Sequence, residues 1–169
     1  TAYGPITHRA TVGGKPVAYT SLRSTYQHEI DSIIGFQEFN DPSVITSAQA
    51  FQQAASHVNY TFNWFYVDSR DTAYYNSGAN PSRKANVDPN MPTWAQPAYE
   101  WNNWVPATNG ASYTPFSEHP QAINQDYFVS WNNGQANDYA ASGYDKSSVH
   151  RVDLLDARVR ALISGGKKV

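Results

Sequence analysis

Cysteine is absent from the 169 residues, which excludes disulfides, thiolate metal sites and cysteine nucleophiles together. Charge is sparse as well: Asp, Glu, Lys and Arg make up 15% of the chain, and the formal net charge is −2. Basic residues never run beyond pairs such as Lys167-Lys168, so the phosphate-neutralising patch that nucleic-acid affinity requires is missing. No apolar stretch is long enough to cross a bilayer, and Thr1-Ala2-Tyr3-Gly4 has neither the basic nor the apolar region of a signal peptide. A soluble, processed or excised piece is the expectation. His28-Glu29 lacks the second histidine that a zinc-protease helix needs, the other histidines are scattered, and there is no glycine-rich phosphate loop.

What the chain has instead is aromatic surface: 12 Tyr, 7 Phe and 5 Trp, or 14% of residues. Its high Asn, Ser, Tyr and Thr content leans toward an exported protein, secreted or periplasmic. The length suits a single domain over residues 1–169, of mixed α+β class, with no internal repeat. Pro5 to Thr11 and Pro16 to Ser21 read as strands of a hairpin turned by Gly13-Gly14. His28 to Phe39 fits a short helix stopped by Asn40-Asp41-Pro42. Ser47 can cap a second helix whose Ala48, Phe51, Ala54, Ala55 and Val58 recur at helical spacing. Tyr60 to Asp68 alternates as a strand covered on both faces, turns at Ser69-Arg70-Asp71 and returns through Thr72 to Asn76. From Gly78 to Gln125, seven prolines interrupt any period, and a long irregular segment of this kind usually covers a site or packs on a neighbour. A strand at Tyr127 to Trp131 follows. The last helix is expected to start near Ser147-Ser148, to bury Val149, Val152, Leu155, Val159 and Leu162, and to stop at Gly165-Gly166.

At the end of Tyr127-Phe128-Val129-Ser130 stands Trp131-Asn132-Asn133, with Arg151 downstream at a helix start. Paired asparagines often only make a turn. A side-chain amide held at a strand end is also the rigid, uncharged donor that acyl-transfer enzymes aim at a developing oxyanion. Other stretches accompany it in order: Thr1-x-x-Gly4-Pro5, Asn63-Trp64-x-Tyr66-x-Asp68, Gly78-Ala79-x-Pro81-x-Arg83, Asp88-Pro89-x-x-Pro92, Glu118-x-Pro120 and Arg151-Val152. Together these motifs resemble an internal part of the catalytic β chain of the penicillin acylase family, which are N-terminal-nucleophile amidohydrolases. The resemblance covers nearly the whole chain.

That resemblance implies the four-layer αββα sandwich of N-terminal-nucleophile hydrolases, of which this chain would form part. It implies amide hydrolysis through an acyl-enzyme, with the nucleophilic serine, a backbone oxyanion donor and further strands upstream of residue 1. The isolated chain would then be inactive, and Thr1 would lie on an internal motif although a free N-terminal threonine can act as a nucleophile. Asn132 falls on the family's oxyanion asparagine and Arg151 on its active-site arginine, a cation that would hold a nearby amine in its neutral, basic form. Phe62 matches a wall of the acyl pocket, and Phe36 and Phe39 lie where another aromatic wall is expected. The plain alternatives are an ordinary hydrophobic core for the three phenylalanines and a partner such as Asp153 or Asp145 for Arg151. No resident cofactor is implied. A structural calcium would take the Pro89 carbonyl, but Gly143 stands where a carboxylate is expected, leaving Asp138 or Asp145 as substitutes. The implied partners are complementary segments of the same enzyme, or a second copy covering open strand edges, and a small hydrophobic acyl amide as substrate. β-Lactam side chains, acyl-homoserine lactones and lipopeptide tails all suit an aromatic pocket.

Two readings compete. Trp94, Trp101 and Trp104 with nearby asparagines could stack on sugar rings or peptides in a non-catalytic binding module. A flat exposed platform remote from Asn132 would favour that module, whereas packing as a lid around Asn132 and Arg151 would favour the hydrolase. The second competitor is an inactive scaffold of the same family.

Overall fold

The computed structural model describes residues 1–131, 134–136, 139 and 149–166. Strands β1 (Ile6–Val12) and β2 (Lys15–Thr20) form the expected antiparallel hairpin. Gly13 and Gly14 sit at φ +56° and +75°, the two positive values that a two-residue hairpin turn of this hand needs. Helix α1 (Ile33–Phe39) begins later than the sequence pattern suggests, because residues 28–32 form turns rather than continuous helix.

Helix α2 (Ala48–Ser56) is the anchor of the unit. Ser47 is extended, and its hydroxyl accepts a hydrogen bond from the Ala50 N–H at 3.1 Å, capping the helix as expected. Ala48, Phe51, Ala54, Ala55 and, just past the helix, Val58 are all buried. Ser47→Ala leaves a terminal N–H without its acceptor and is expected to cost about 1 kcal/mol of stability, read as a lower midpoint in denaturant unfolding.

The sheet has order β3-β4-β5, all antiparallel: β3 (Asn63–Val67), β4 (Thr72–Asn76) and β5 (Gln121–Ile123). The turn between β3 and β4 is held by Asp68, whose Oδ1 accepts from the Arg70 and Asp71 N–H groups at 2.7 and 2.6 Å while Oδ2 accepts from the Tyr66 hydroxyl. These donors pull the Asp68 carboxyl down to about 2. A carboxylate with a depressed folded-state pKa stabilises the fold above its unfolded value near 4 and loses that contribution as pH falls toward 2. Acid unfolding of Asp68→Asn is therefore expected to be less pH-dependent between 4 and 2 than that of the parent, which a series of thermal melts would register.

Helix α2 lies across β4, and α1 packs beside α2. The small side chain of Ala73 lets Ala48 and Phe51 settle onto the sheet, and Phe39, Ile45, Trp64, Tyr66 and Ile123 close around them. Gly35 is buried where α1 meets the end of α2: an added Cβ would stand 2.7 Å from Val58 Cγ2 and 2.9 Å from the Ala54 carbonyl oxygen. Buried Gln52 staples helix to sheet, donating from Nε2 to the Tyr74 and Ala122 carbonyls at 3.0 and 3.2 Å.

Three expectations need correction. Residues 127–130 are not a strand; the third strand is β5, six residues earlier and too short to show a period. The β3 strand is covered on one face only, since Phe65 and Val67 remain 46% and 75% exposed opposite the helices, where Phe65 meets the rings of Tyr74 at 5.4 Å and Phe128 at 6.0 Å. The last helix, α3 (Asp153–Ser164), follows a 3-10 turn over Val149–Arg151 and has no buried residue. Its stripe is half-buried at Val152 and Val159 and exposed at Leu155 and Leu162. A helix keeps such a stripe dry only against another apolar surface, and the described contacts of α3 reduce largely to Tyr127, which donates to Asp156 at 2.8 Å beneath the Arg160 guanidinium. The described residues thus make one helix layer on one sheet with a separate hairpin, an α+β arrangement in which no second sheet layer is present.

Candidate active site

Phe36, Phe39 and Phe62 come together, and the residue that gathers them is Trp64. On α1, Phe36 meets the Trp64 ring edge-on at 5.9 Å and Phe39 packs at 4.8 Å; Phe62, entering β3, meets it edge-on at 5.7 Å. Helix and strand periods both serve this cluster: i and i+3 put Phe36 and Phe39 on one helical face, and i and i+2 put Phe62 and Trp64 on one strand face. Phe39 also stacks on Phe51 and is half-buried, so it belongs to the core as much as to the wall. Phe36 and Phe62 stay 40% and 49% exposed, leaving ring surface for a ligand.

Trp64 is fixed by polar contacts as well as by packing. Its indole N–H donates to the buried Ser77 Oγ at 2.8 Å; that hydroxyl donates to the Tyr60 carbonyl at 2.6 Å and accepts from the Phe62 N–H at 3.3 Å. Sequence reasoning names Trp64 only within the motif Asn63-Trp64-x-Tyr66-x-Asp68, not as a site residue, and does not name Ser77, although the alternation Tyr60, Phe62, Trp64 puts all three rings on one face.

Asn132 lies outside the described residues, but the chain leading to it does not. Asn63, beside Trp64 in β3, donates from Nδ2 to Ser130 Oγ at 3.0 Å, so the strand that carries the aromatic wall also holds the residue two before Asn132. Arg151 is exposed at the end of the 3-10 turn, which packs chiefly on α3 rather than on the elements carrying the phenylalanines. Its neighbour His150 pairs with Asp153 at 3.2 Å. Three further histidines are hydrogen-bonded, His28 with Asp31 and the Thr108 carbonyl, His57 with Glu38, and buried His119 with the Asn76 carbonyl, while the His8 ring on β1 stands 6.0 Å from that of Tyr19.

The three tryptophans form neither a flat platform nor a lid on the aromatic wall. With Tyr3, Tyr19 and Arg83 they line a cleft of about 670 Å³ between β2 and the proline-rich segment. Trp101 and Trp104 meet edge-on at an interplanar angle of 73°, and only Trp94 is mostly exposed. Asn109 shapes this corner, its Oδ1 accepting from the Trp104 indole N–H while Nδ2 donates to carbonyls of Arg23 and Tyr26. The cleft lining includes none of Phe36, Phe39, Phe62 and Arg151.

These residues and their order have a match among known proteins. The family model for penicillin amidase matches residues 1–169. The chain belongs to the penicillin amidase family. Penicillin G acylase of Escherichia coli is 30% identical over 97 residues, covering 56% of this chain and 10% of the relative. The aligned stretch is thus about a tenth of that relative's length. No helix among the described residues is long and apolar enough to cross a membrane. The described residues also gather no group of three His, Asp or Glu side chains that could hold a metal ion. Pro89 lines the cleft, Asp88 Oδ1 is occupied by the Asn90 N–H at 2.9 Å, and Asp138, Gly143 and Asp145 lie outside the described residues.

Proposed function

We propose that this chain is a fragment of an N-acyl amide hydrolase of the penicillin acylase type, contributing the oxyanion asparagine and part of the acyl pocket to a site completed by other segments. The observation that carries the reading is the convergence of Phe36, Phe39 and Phe62 on Trp64, tied through Asn63 to the segment that reaches Asn132. A half-open wall of aromatic rings suits a hydrophobic acyl group and discriminates it by shape and apolar contact. A serine supplied upstream would attack the amide carbon, forming the tetrahedral oxyanion; the Asn132 side-chain amide would donate to that oxygen as charge develops. The fixed cation of Arg151 would keep the nucleophile's amine unprotonated and able to take the serine proton. The bare face of β3 and the uncovered stripe of α3 support completion by the remaining layers of the αββα sandwich, since monomers rarely leave such surface open.

The isolated chain, assayed on a chromogenic aryl-acetyl amide, is expected to be silent, and activity is expected once the upstream segment is co-expressed with it. Activity of the isolated chain would overturn the reading by placing a nucleophile, Thr1 foremost, within these residues. Silence of the completed protein would favour the inactive scaffold.

A further inference from the structure

The tryptophans of the proline-rich segment take no part in the aromatic wall, and the cleft they share with β2 carries polar groups of its own. Tyr3 packs on Trp104 with ring centroids 5.0 Å apart, and Trp101 stands edge-on to Trp104 at 6.4 Å. The Trp104 indole N–H is taken by Asn109 Oδ1 at 3.0 Å, so this side chain offers the cleft ring surface and no donor. Trp94 and Tyr99 line the same cleft 55% and 39% exposed.

Arg83 lines the cleft half-buried. It donates to the Pro81 carbonyl at 3.1 Å, and among the described residues no ion pair includes it. A guanidinium carries several N–H donors in a fixed fork, so most of those of Arg83 are left for a ligand. Burial pushes its pKa below the ordinary value, the mark of a cation that has lost water and gained no counter-charge. Glu100 accepts from the Tyr3 hydroxyl at 2.6 Å through Oε1, which leaves Oε2 as an acceptor without a partner among the described residues. Asp88 adds a second carboxylate to the lining, its Oδ1 engaged by the Asn90 N–H.

These groups select a ligand by charge and by hydrogen-bonding type. A net anion would meet Glu100 and Asp88, and a net cation would meet Arg83. A neutral molecule that accepts from the guanidinium and donates to the carboxylate suits both, and a hydroxyl does either. Tyr and Trp side chains present apolar ring area beside polar neighbours, which matches a ligand with carbon–hydrogen faces and hydroxyl edges. The cleft volume of about 670 Å³ lies within the range of small-ligand sites. We propose that the cleft between β2 and the proline-rich segment binds a neutral saccharide, with Trp94, Trp101 and Trp104 against its ring faces and Arg83 and Glu100 on its hydroxyls. A peptide is the poorer occupant, because its carbonyls would seek indole N–H donors and that of Trp104 is already used. The site is separate from the aromatic wall, and the proposal does not rest on the hydrolase reading.

The test screens the full-length protein against immobilised neutral oligosaccharides, with sialylated and sulfated oligosaccharides and acidic, basic and zwitterionic peptides beside them. At least one neutral saccharide is expected to be retained, and its Kd is then measured by calorimetry. Glu100→Gln keeps an acceptor for Tyr3 but loses the charged bond to a sugar hydroxyl, and Trp94→Ala removes an exposed ring. Each is expected to weaken that Kd about tenfold, with a melting temperature near the parent's. Retention of charged saccharides or peptides alone, or of nothing, overturns the proposal. So does a neutral saccharide whose Kd is the same in both variants, since it then binds elsewhere. Should Glu100→Gln melt early, Trp94→Ala carries the test.

Discussion

Asn132→Ala in the completed enzyme is expected to lower kcat by about two to three orders of magnitude while leaving KM for an aryl-acetyl amide close to the parent value. Removing one oxyanion donor typically costs this much, because the bond strengthens as charge moves onto the oxygen and contributes little to ground-state binding. Steady-state kinetics on purified parent and variant separate the possibilities. A variant with raised KM and unchanged kcat would instead make Asn132 a substrate-binding residue. Asp at the same position is expected to be at least as damaging as Ala, since a carboxylate would face the developing negative charge.

Trp64→Ala is the second large effect. The indole touches Phe36, Phe39 and Phe62 together, so its loss opens a void between α1 and β3 and strips Ser77 Oγ of the indole donor. Large-to-small replacement of a packed aromatic costs about 3–5 kcal/mol, a large fraction of the stability of a domain of this size. The expected readout is a lower unfolding midpoint, with KM for aryl-acyl substrates raised more than KM for short aliphatic ones. Trp64→Phe keeps most of the packing and loses the N–H. It is expected to cost about 1 kcal/mol, because Ser77 retains its bonds to Tyr60 and Phe62. Equal effects of the two substitutions would mean that the hydrogen bond, not the ring, organises the cluster.

The parts of the fold legible in the sequence are those whose signals are local. Gly13-Gly14 can meet the positive φ of a tight hairpin, Ser47 can cap, and the Ala48, Phe51, Ala55 spacing marks one helical face. The strand Gln121–Ile123 was hidden because three residues between Pro120 and Asn124 carry no period; its place is set by pairing with β4 and by Asn124, whose Oδ1 accepts from the Thr72 N–H. The apolar run after it was mistaken for that strand. The stripe of α3 was legible as a pattern, but a pattern names a face and not what covers it, and Leu155 and Leu162 remain exposed. The same holds for Phe65 and Val67 on β3.

Of the candidate site, the three phenylalanines were legible singly and their meeting at Trp64 was not, since residues 36, 39, 62 and 64 converge only when α1 lies over β3. The hydrogen bonds linking Asn63, Asn76, His119 and Tyr139 were equally hidden, since these residues share no motif and only the fold brings them within reach. Arg151 is legible as a helix-start cation, and its proposed place in the active site rests on the resemblance alone.

A crystal structure of the completed enzyme with an aryl-acetate bound tests the central claim most directly. The account expects the ring against Phe36, Phe62 and Trp64, with the Asn132 side-chain nitrogen within hydrogen-bonding distance of a carboxylate oxygen. An aryl-acetate seated instead between Trp101 and Trp104 in the hairpin cleft, with the Phe36–Phe62 wall empty, would contradict it.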